Sequence, residues 1–469
     1  MIEDTHKPSI FYRWSVLVFV SLAMFGNYYV YDSISPLADL LARQLGFSDA
    51  NIGTLNAIYS LPNIFMVLIG GIIIDRIGTR KSTLLFSILC LIGAVLTALS
   101  SQFGLMATGR LIFGLGAESL IVAITTVLAR WFKGKELSFA FGLNLTIARL
   151  GTFSALNSPT WAKSYYSDWQ DPLFISIIAA LVSVIAVLIY IFMDANAEKR
   201  FTLRKESSVD KIEIGGIFKF NPSFWLITLL CVTFYSAIFP FQTFAVKFFI
   251  QEHLISIPQD IARSMGGFLS SLLILAAMIL TPLFGLLADK IGKRALLMMI
   301  GSVMLIPVYL ILAYVKMDAG ISAADIGNIL ETSEVGSNLD YFIDMISLLF
   351  RYFPNLVLPM GIMGLSFSLI PAVMWPSVAY IVAEKRLGTA YGLMTMIQNI
   401  GLAGFNFLIG FVNDFSQGHT LGMWIFSSLG LLGLVFAWLL RKQELSSKGH
   451  GLELSMAELK RRTIQSSQQ

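Results

Sequence analysis

The chain has 469 residues, 56% of them apolar and only 13% charged, with a formal net charge of +4. With a mean hydropathy of +0.74, that is more apolar surface than a water-soluble core can use, so bilayer solvent is the expected environment. The small positive balance leaves no role for nucleic acid as a partner and is better read as a sign of topology.

About 20 apolar residues cross a hydrocarbon core as a helix. The first such run, 14–34, follows the polar start Met1–Lys7. It is too long for a signal-peptide core and lacks a small-residue cleavage site, so it is expected to remain as the first span. Further spans are expected at 52–74, 82–101, 104–128, 137–160 and 171–193. The polar stretch 194–221, with Lys199, Arg200, Arg204, Lys205, Lys211 and Lys219, then reads as a cytoplasmic linker. Beyond it come spans at 222–247, 265–288, 295–315, 355–382, 388–412 and 420–440. The tail, 443–469, contains Met456–Arg462, read as a short exposed helix or as disorder. The expected fold is an all-α membrane protein of twelve transmembrane helices, in two six-helix bundles covering 1–193 and 222–442.

Basic loops stay on the cytoplasmic side. With the N-terminus inside, 25 of the 33 Lys and Arg residues fall on inner segments. Outer loops hold only Arg43, Lys163, Arg263, Lys316 and Arg351, while Arg110, Arg149 and Lys247 fall within spans. Both termini are therefore expected to be cytoplasmic. Cys90 and Cys231 lie in apolar runs and imply neither disulfide nor metal cluster, and the four histidines lie outside the spans. No metal or cofactor is expected, and no enzyme, because no nucleophile triad, phosphate loop or metal spacing occurs.

One pattern occurs twice. Gly70-Gly71, Asp75-Arg76, Gly78 and Arg80-Lys81 recur 214 positions later as Gly285, Asp289-Lys290, Gly292 and Lys293-Arg294. Ala140-Phe-Gly-Leu143 likewise resembles Ala390-Tyr-Gly-Leu393, now 250 positions apart. The difference places an insertion between Arg294 and Ala390, and the polar stretch Lys316–Arg351 accommodates it as an enlarged outer loop. This organisation, and the paired loop motif above all, resembles the major facilitator superfamily. The resemblance implies two six-helix halves that rock about a central site. Asp75, Arg76 and Arg80, with Asp289, Lys293 and Arg294, are then expected to pair across helix ends and latch one conformation. A plain positive-inside loop is the alternative.

Function is sought among polar residues that apolar surroundings make expensive. Glu118, in Gly114-Leu-Gly-Ala-Glu-Ser119, lies about 21 Å in from the outer end of its span, and Arg149, in Leu145-Thr-Ile-Ala-Arg-Leu-Gly151, about 18 Å in from the inner end of the next. Those helices run oppositely, so both side chains reach the midplane. A guanidinium grips a carboxylate bidentately and a carboxylate accepts from an amine, which suits a small substrate carrying both groups. A structural salt bridge between Glu118 and Arg149 is the other reading. The 250-residue offset puts Ser368 opposite Glu118 and Asn399 opposite Arg149. The second half thus lacks both charges, which favours binding over a structural bridge. Asn399 and Gln398 would add uncharged hydrogen bonds, and Trp375 and Tyr59 aromatic walls or, equally, helix packing. Asp32 and Arg110 read as a mutual charge pair in the outer part of neighbouring spans, with Asp32 alternatively carrying a coupling proton. Lys247 either snorkels to the interface or enters the pocket.

A closer resemblance rests on Trp131-Phe-Lys-Gly-Lys-Glu-Leu137, Gly116-Ala-Glu-Ser-Leu120, Ala148-Arg149, Leu387-Gly-Thr-Ala-Tyr-Gly392 and Ile397-Gln-Asn-Ile-Gly-Leu-Ala403, together with Tyr31-Asp32, Phe239-Pro-Phe241, Lys247-Phe-Phe249 and Trp375-Pro376. These strings are similar to a family of dipeptide transporters within the superfamily, which includes a lysosomal uniporter. The resemblance implies that Glu118 meets the dipeptide amino terminus and Arg149 its carboxylate. Two family features are not carried over: Met1–Arg13 shows no acidic dileucine sorting signal, and an accessory subunit is not assumed. A cell membrane, bacterial and inner, is therefore the expected location, with the lysosomal membrane as the alternative. Proton-coupled transport of peptides or of another small dipolar or anionic solute remains the competing function, although the E-x-x-E-R string of proton-coupled peptide transporters is absent from the first span. A receptor that binds without translocating is the third.

Overall fold

The computed structural model describes residues 9–132, 136–200, 220–315, 322–334, 338–383, 386–446, 449–455 and 458, and all regular structure among them is helical. The long helices are α1 (Ile10–Asp32), α2 (49–77), α3 (79–98), α4 (Phe103–Phe132), α5 (Leu137–Leu156) and α6 (Asp171–Arg200). After the linker come α7 (Pro222–Phe248), α8 (Gln259–Ile291), α9 (Arg294–Tyr314), α10 (Pro354–Ile381), α11 (Leu387–Ser416) and α12 (Thr420–Glu444). Eleven segments of the described chain are long and apolar enough to cross a membrane. The twelfth crossing is α2, which is continuous with α3 in one 50-residue helical run.

That run would be about 75 Å long if straight, more than twice the hydrocarbon thickness. It is broken at Gly78, whose φ of 79° and ψ of 162° no β-carbon tolerates easily. The two arms run oppositely along α4. Asn56 bonds Arg110 and Ser119 bonds Met66 on one arm, whereas Thr97 lies against Gly109 and Phe86 against Gly116 on the other. The repeated loop motif is thus a hairpin hinge. Elsewhere, local chemistry sets the boundaries: Ser48 and Asn51 form a capping box at the start of α2, and Asn221 caps α7 with Pro222 in its first turn.

One face of the bundle carries residues 9, 200, 220 and 446 and is called here the terminal face. The turns at Gly78 and Gly292 lie on the same face, and the opposite face carries residues 33–48, 99–102, 157–170, 249–258 and 417–419. α1–α6 surround an apolar core of residues such as Phe86, Phe113, Ala117 and Tyr190. The core of α7–α12 reaches into the first half through buried residues within 34–55, 98–107 and 156–173, on the opposite face. Polar contacts follow the same geography. Lys247 pairs with Asp49, Arg263 with Asp39 at 2.6 Å, and Lys163 with Asp260 at 3.3 Å. Asp414 accepts from the backbone N–H groups of Asp49 and Ala50, both at 2.8 Å, so a carboxylate of one half caps the positive end of a helix in the other. The halves are sealed at that face. Towards the terminal face, the one such bond between described residues is Arg149 to Thr281 at 3.4 Å.

The 316–351 insertion contains two helices, Ala323–Glu334 and Asn338–Tyr352. The second buries Tyr341, Met345 and Leu349, sets Phe342 edge-on to Phe268 at 5.6 Å, and lies under Lys163 of the first half, 5.4 Å from the Tyr341 ring. The start of the tail is docked on the terminal face. Leu452 accepts from the Arg294 amide at 3.0 Å and Glu453 from the Ala295 amide at 3.0 Å, which caps α9. Of the Met456–Arg462 stretch only Glu458 is among the described residues.

Candidate functional site

Between the halves, on the terminal side of the seal, lies a cavity of about 550 Å³. Its lining includes Tyr59, Glu118, Arg149, Trp375, Gln398 and Asn399, every residue expected at the site, and Asp32 beside them. A larger hollow of about 670 Å³ opens on the opposite face around Asp49, Lys247 and His419, and contains none of those six. The central cavity has the composition of a ligand site: mostly apolar and aromatic walls with a few converging polar groups.

Close helix packing puts the charges there. Gly114 of α4 lies so near the Tyr59 carbonyl of α2 that a β-carbon would collide, and one turn further on Glu118 enters the cavity. Gly151 of α5 presses in the same way on the Phe25 carbonyl of α1, and fixes Arg149 and Thr152 on the cavity side. Pro371 and Pro376 interrupt the hydrogen-bond ladder of α10 where Trp375 faces inward.

Glu118 and Arg149 form no ion pair with each other, and neither has a charged partner among the described residues. Arg149 donates to Thr281 Oγ1 at 3.4 Å and its guanidinium lies 5.8 Å from the centre of the Phe367 ring. The structural-bridge reading is therefore not realised in this conformation. Tyr59 stacks on Phe113 at 5.3 Å and lies 4.6 Å from Tyr31. Trp375 Nε1 donates to Tyr235 Oη at 2.9 Å, Gln398 Oε1 accepts from Cys231 Sγ at 3.6 Å, and the Asn399 amide donates to the Thr395 carbonyl of its own helix at 3.0 Å.

Three expectations are corrected. Asp32 and Arg110 do not pair. Arg110 is buried and donates to the Val30 and Tyr31 carbonyls at 3.1 and 3.2 Å and to Asn56 Oδ1 at 2.7 Å, among the rings of Tyr31, Tyr59 and Phe113. The unsatisfied carbonyls at the end of α1 attract the cation and take its hydrogen bonds in place of the Asp32 carboxylate. Asp32 instead accepts from Thr152 Oγ1 at 2.6 Å. Lys247 neither snorkels nor enters the pocket but is buried in the seal, paired with Asp49. In the hinge loops, Asp75 and Arg76 are exposed, and Arg80 turns to Asp194 at 2.6 Å and to Glu198 on α6. Arg130 and Trp131 converge on the same fully buried Asp194 at 3.2 and 3.0 Å. In the second copy Arg294 pairs with Asp289 at 2.7 Å and Lys293 is exposed. These bonds all lie within one half.

Sequence reasoning missed Tyr28, Thr152, Tyr235, Thr281 and Phe367 in the cavity, and Asp49, Asp194 and Asp414 in the ionic clusters. Asp194 alone carried a signal, being an acid at the end of a long apolar run. The aromatic residues are indistinguishable in sequence from their lipid-facing neighbours.

Residues 20–326 match the family described as Major Facilitator Superfamily. Over 468 residues the chain is 31% identical to the lysosomal dipeptide transporter MFSD1 of Danio rerio, covering 97% of this chain and 91% of that one. To the relative of the same name from Mus musculus it is 32% identical over 449 residues, covering 92% and 87%. Among solved structures it is similar in fold to the nucleoside transporter NupG, with a TM-score of 0.65 over 92% of this chain and 100% of that chain at 15% identity. A helical bundle crossed many times by the membrane, a cavity between its halves and these relatives have one meaning: the chain belongs to the Major Facilitator Superfamily and is an integral membrane transporter.

Proposed function

We propose that this protein carries dipeptides across a membrane as a uniporter, by exposing the central cavity alternately to either side. Glu118 takes the peptide ammonium and Arg149 its carboxylate, with Tyr59 and Trp375 as walls and Gln398 and Asn399 as hydrogen-bonding groups from the second half. The observation that carries this reading is that two opposite charges enter one cavity and are paired neither with each other nor with a third charge among the described residues. An uncompensated buried charge is costly, so an occupant bringing one ammonium and one carboxylate is stabilised at both ends. The substrate in the relatives' names agrees with that chemistry, and about 550 Å³ suits a molecule of dipeptide size.

Uptake of alanylalanine into proteoliposomes tests it. A uniporter equilibrates the peptide at a rate that an imposed pH gradient does not change. Accumulation above equilibrium, driven by that gradient, would replace this reading by proton coupling, which Asp32 favours as a second carboxylate in the cavity, bonded to Thr152. Binding without uptake would make the protein a receptor.

The moving bodies in this reading are residues 1–193 and 222–442, and both termini face the cytoplasm. The membrane is read as a cell membrane, with the lysosomal membrane, as in the relatives' names, the alternative. An impermeant thiol reagent applied to intact cells should leave a Ser207→Cys variant unlabelled. Labelling would reverse the topology.

A further inference from the structure

We infer that Tyr235 is a substrate-binding residue whose hydroxyl donates a hydrogen bond to the same carboxylate that Arg149 holds. The inference rests on the reading of the cavity as a dipeptide site and adds a contact from the second half. Tyr235 lies on α7 and lines the cavity with Arg149 and Thr281. Its ring is fixed, stacked on Phe239 at 5.6 Å with planes 16° apart and meeting Phe234 edge-on at 5.4 Å. Its oxygen accepts from Trp375 Nε1 at 2.9 Å.

That last bond decides where the phenol proton goes. An indole nitrogen only donates, and a phenol has one proton and an acceptor oxygen. With the Trp375 N–H on the oxygen, the Tyr235 proton must leave on the side away from the indole, and no acceptor among the described residues receives it. Tyr235 is near enough to Arg149 for the two to interact electrostatically. A donor hydroxyl beside a guanidinium, both facing one cavity, is satisfied by an anionic acceptor. The terminal carboxylate of a dipeptide has two oxygens, one for each group. Trp375, expected from sequence to be a wall, is then also a positioning residue that aims the phenol. The carboxylate would tie the halves together at the cavity, since Arg149 belongs to the first and Tyr235 to the second.

The test is competition against labelled alanylalanine on the purified full-length protein, with unlabelled alanylalanine and its C-terminal amide as competitors. Tyr235→Phe keeps the ring and removes the donor. It should raise the inhibition constant of the free acid about tenfold or more, as expected for a hydrogen bond to a charged group, and leave that of the amide nearly unchanged. Equal loss for both competitors, or no loss for either, overturns the inference. Should Tyr235→Phe not fold, Trp375→Phe serves instead: it keeps an aromatic wall and removes the orienting N–H. A reduced preference for acid over amide is expected, and an unchanged preference overturns the inference. Arg149→Lys on the same competitors separates the two levels. If that variant keeps the wild-type preference, the reading of Arg149 fails, whereas if it loses the preference and Tyr235→Phe does not, only the role of Tyr235 fails.

Discussion

Glu118 and Arg149 sit on consecutive helices of one half, positioned by tight backbone contacts and without ionic partners among the described residues. Arg149→Lys keeps the charge but loses the planar fork, and with it one of two parallel bonds to a carboxylate. Dipeptide affinity is expected to fall about tenfold or more, read by calorimetry or by ligand-induced thermal stabilisation. Full thermal stabilisation by dipeptides in that variant would remove Arg149 from the site. Glu118→Gln should weaken free dipeptides and leave N-acetylated ones unaffected, because the acetyl group has already removed the ammonium. If acetylated and free dipeptides bind the wild type equally well, Glu118 has another task. Both residues were legible in the sequence, since an ionisable group far from either end of an apolar run is expensive wherever its helix packs. The Asp32–Arg110 pairing was misread because sequence gives the depth of a side chain but not its rotation about the helix axis. Backbone carbonyls at the end of α1 took the place of the expected carboxylate.

Helix packing rests on close approach at a few positions and on the seal at the opposite face. Gly114→Leu would drive α4 off α2, and overpacking of this kind costs about 1–3 kcal/mol. A lowered melting temperature together with weakened peptide binding is the expected result, because Glu118 lies one turn away on the same helix. A normal melting curve would show that α2 and α4 adjust freely. In the seal, Lys247→Ala leaves Asp49 buried without its cation. Removing one partner of such a pair costs about 3–5 kcal/mol, but only in the conformation that buries it. The balance should shift towards opening at this face, and the cavity-lining Gln242→Cys variant, introduced in the Lys247→Ala background, should react faster with an impermeant maleimide from that side. Unchanged reactivity would mean that the other contacts hold the seal alone. Asp414→Asn should act in the same direction and more weakly, since a charge at a helix terminus contributes about 0.3–1 kcal/mol.

For the whole molecule, transport requires that the contacts of one face be exchanged for contacts at the other. Among the described residues Lys247–Asp49, Arg263–Asp39 and the Asp414 cap join the halves on one face, and Arg149 to Thr281 joins them in the cavity wall. Composition and the run of apolar segments were enough to determine a twelve-helix membrane bundle built from a repeated half, and the helical rise then put two charges at one depth. Those properties are local, because the bilayer acts as solvent on each span and 1.5 Å per residue measures depth along it. Only the tertiary structure decided which charges meet, which face is sealed, that Gly78 turns one helical run back on itself, and that Trp375 donates to the Tyr235 hydroxyl in the cavity wall. Helices apolar on all sides carry little record of their rotation or of their neighbours. Those relations arise when the helices pack against one another, and the geometry of the cavity arises with them.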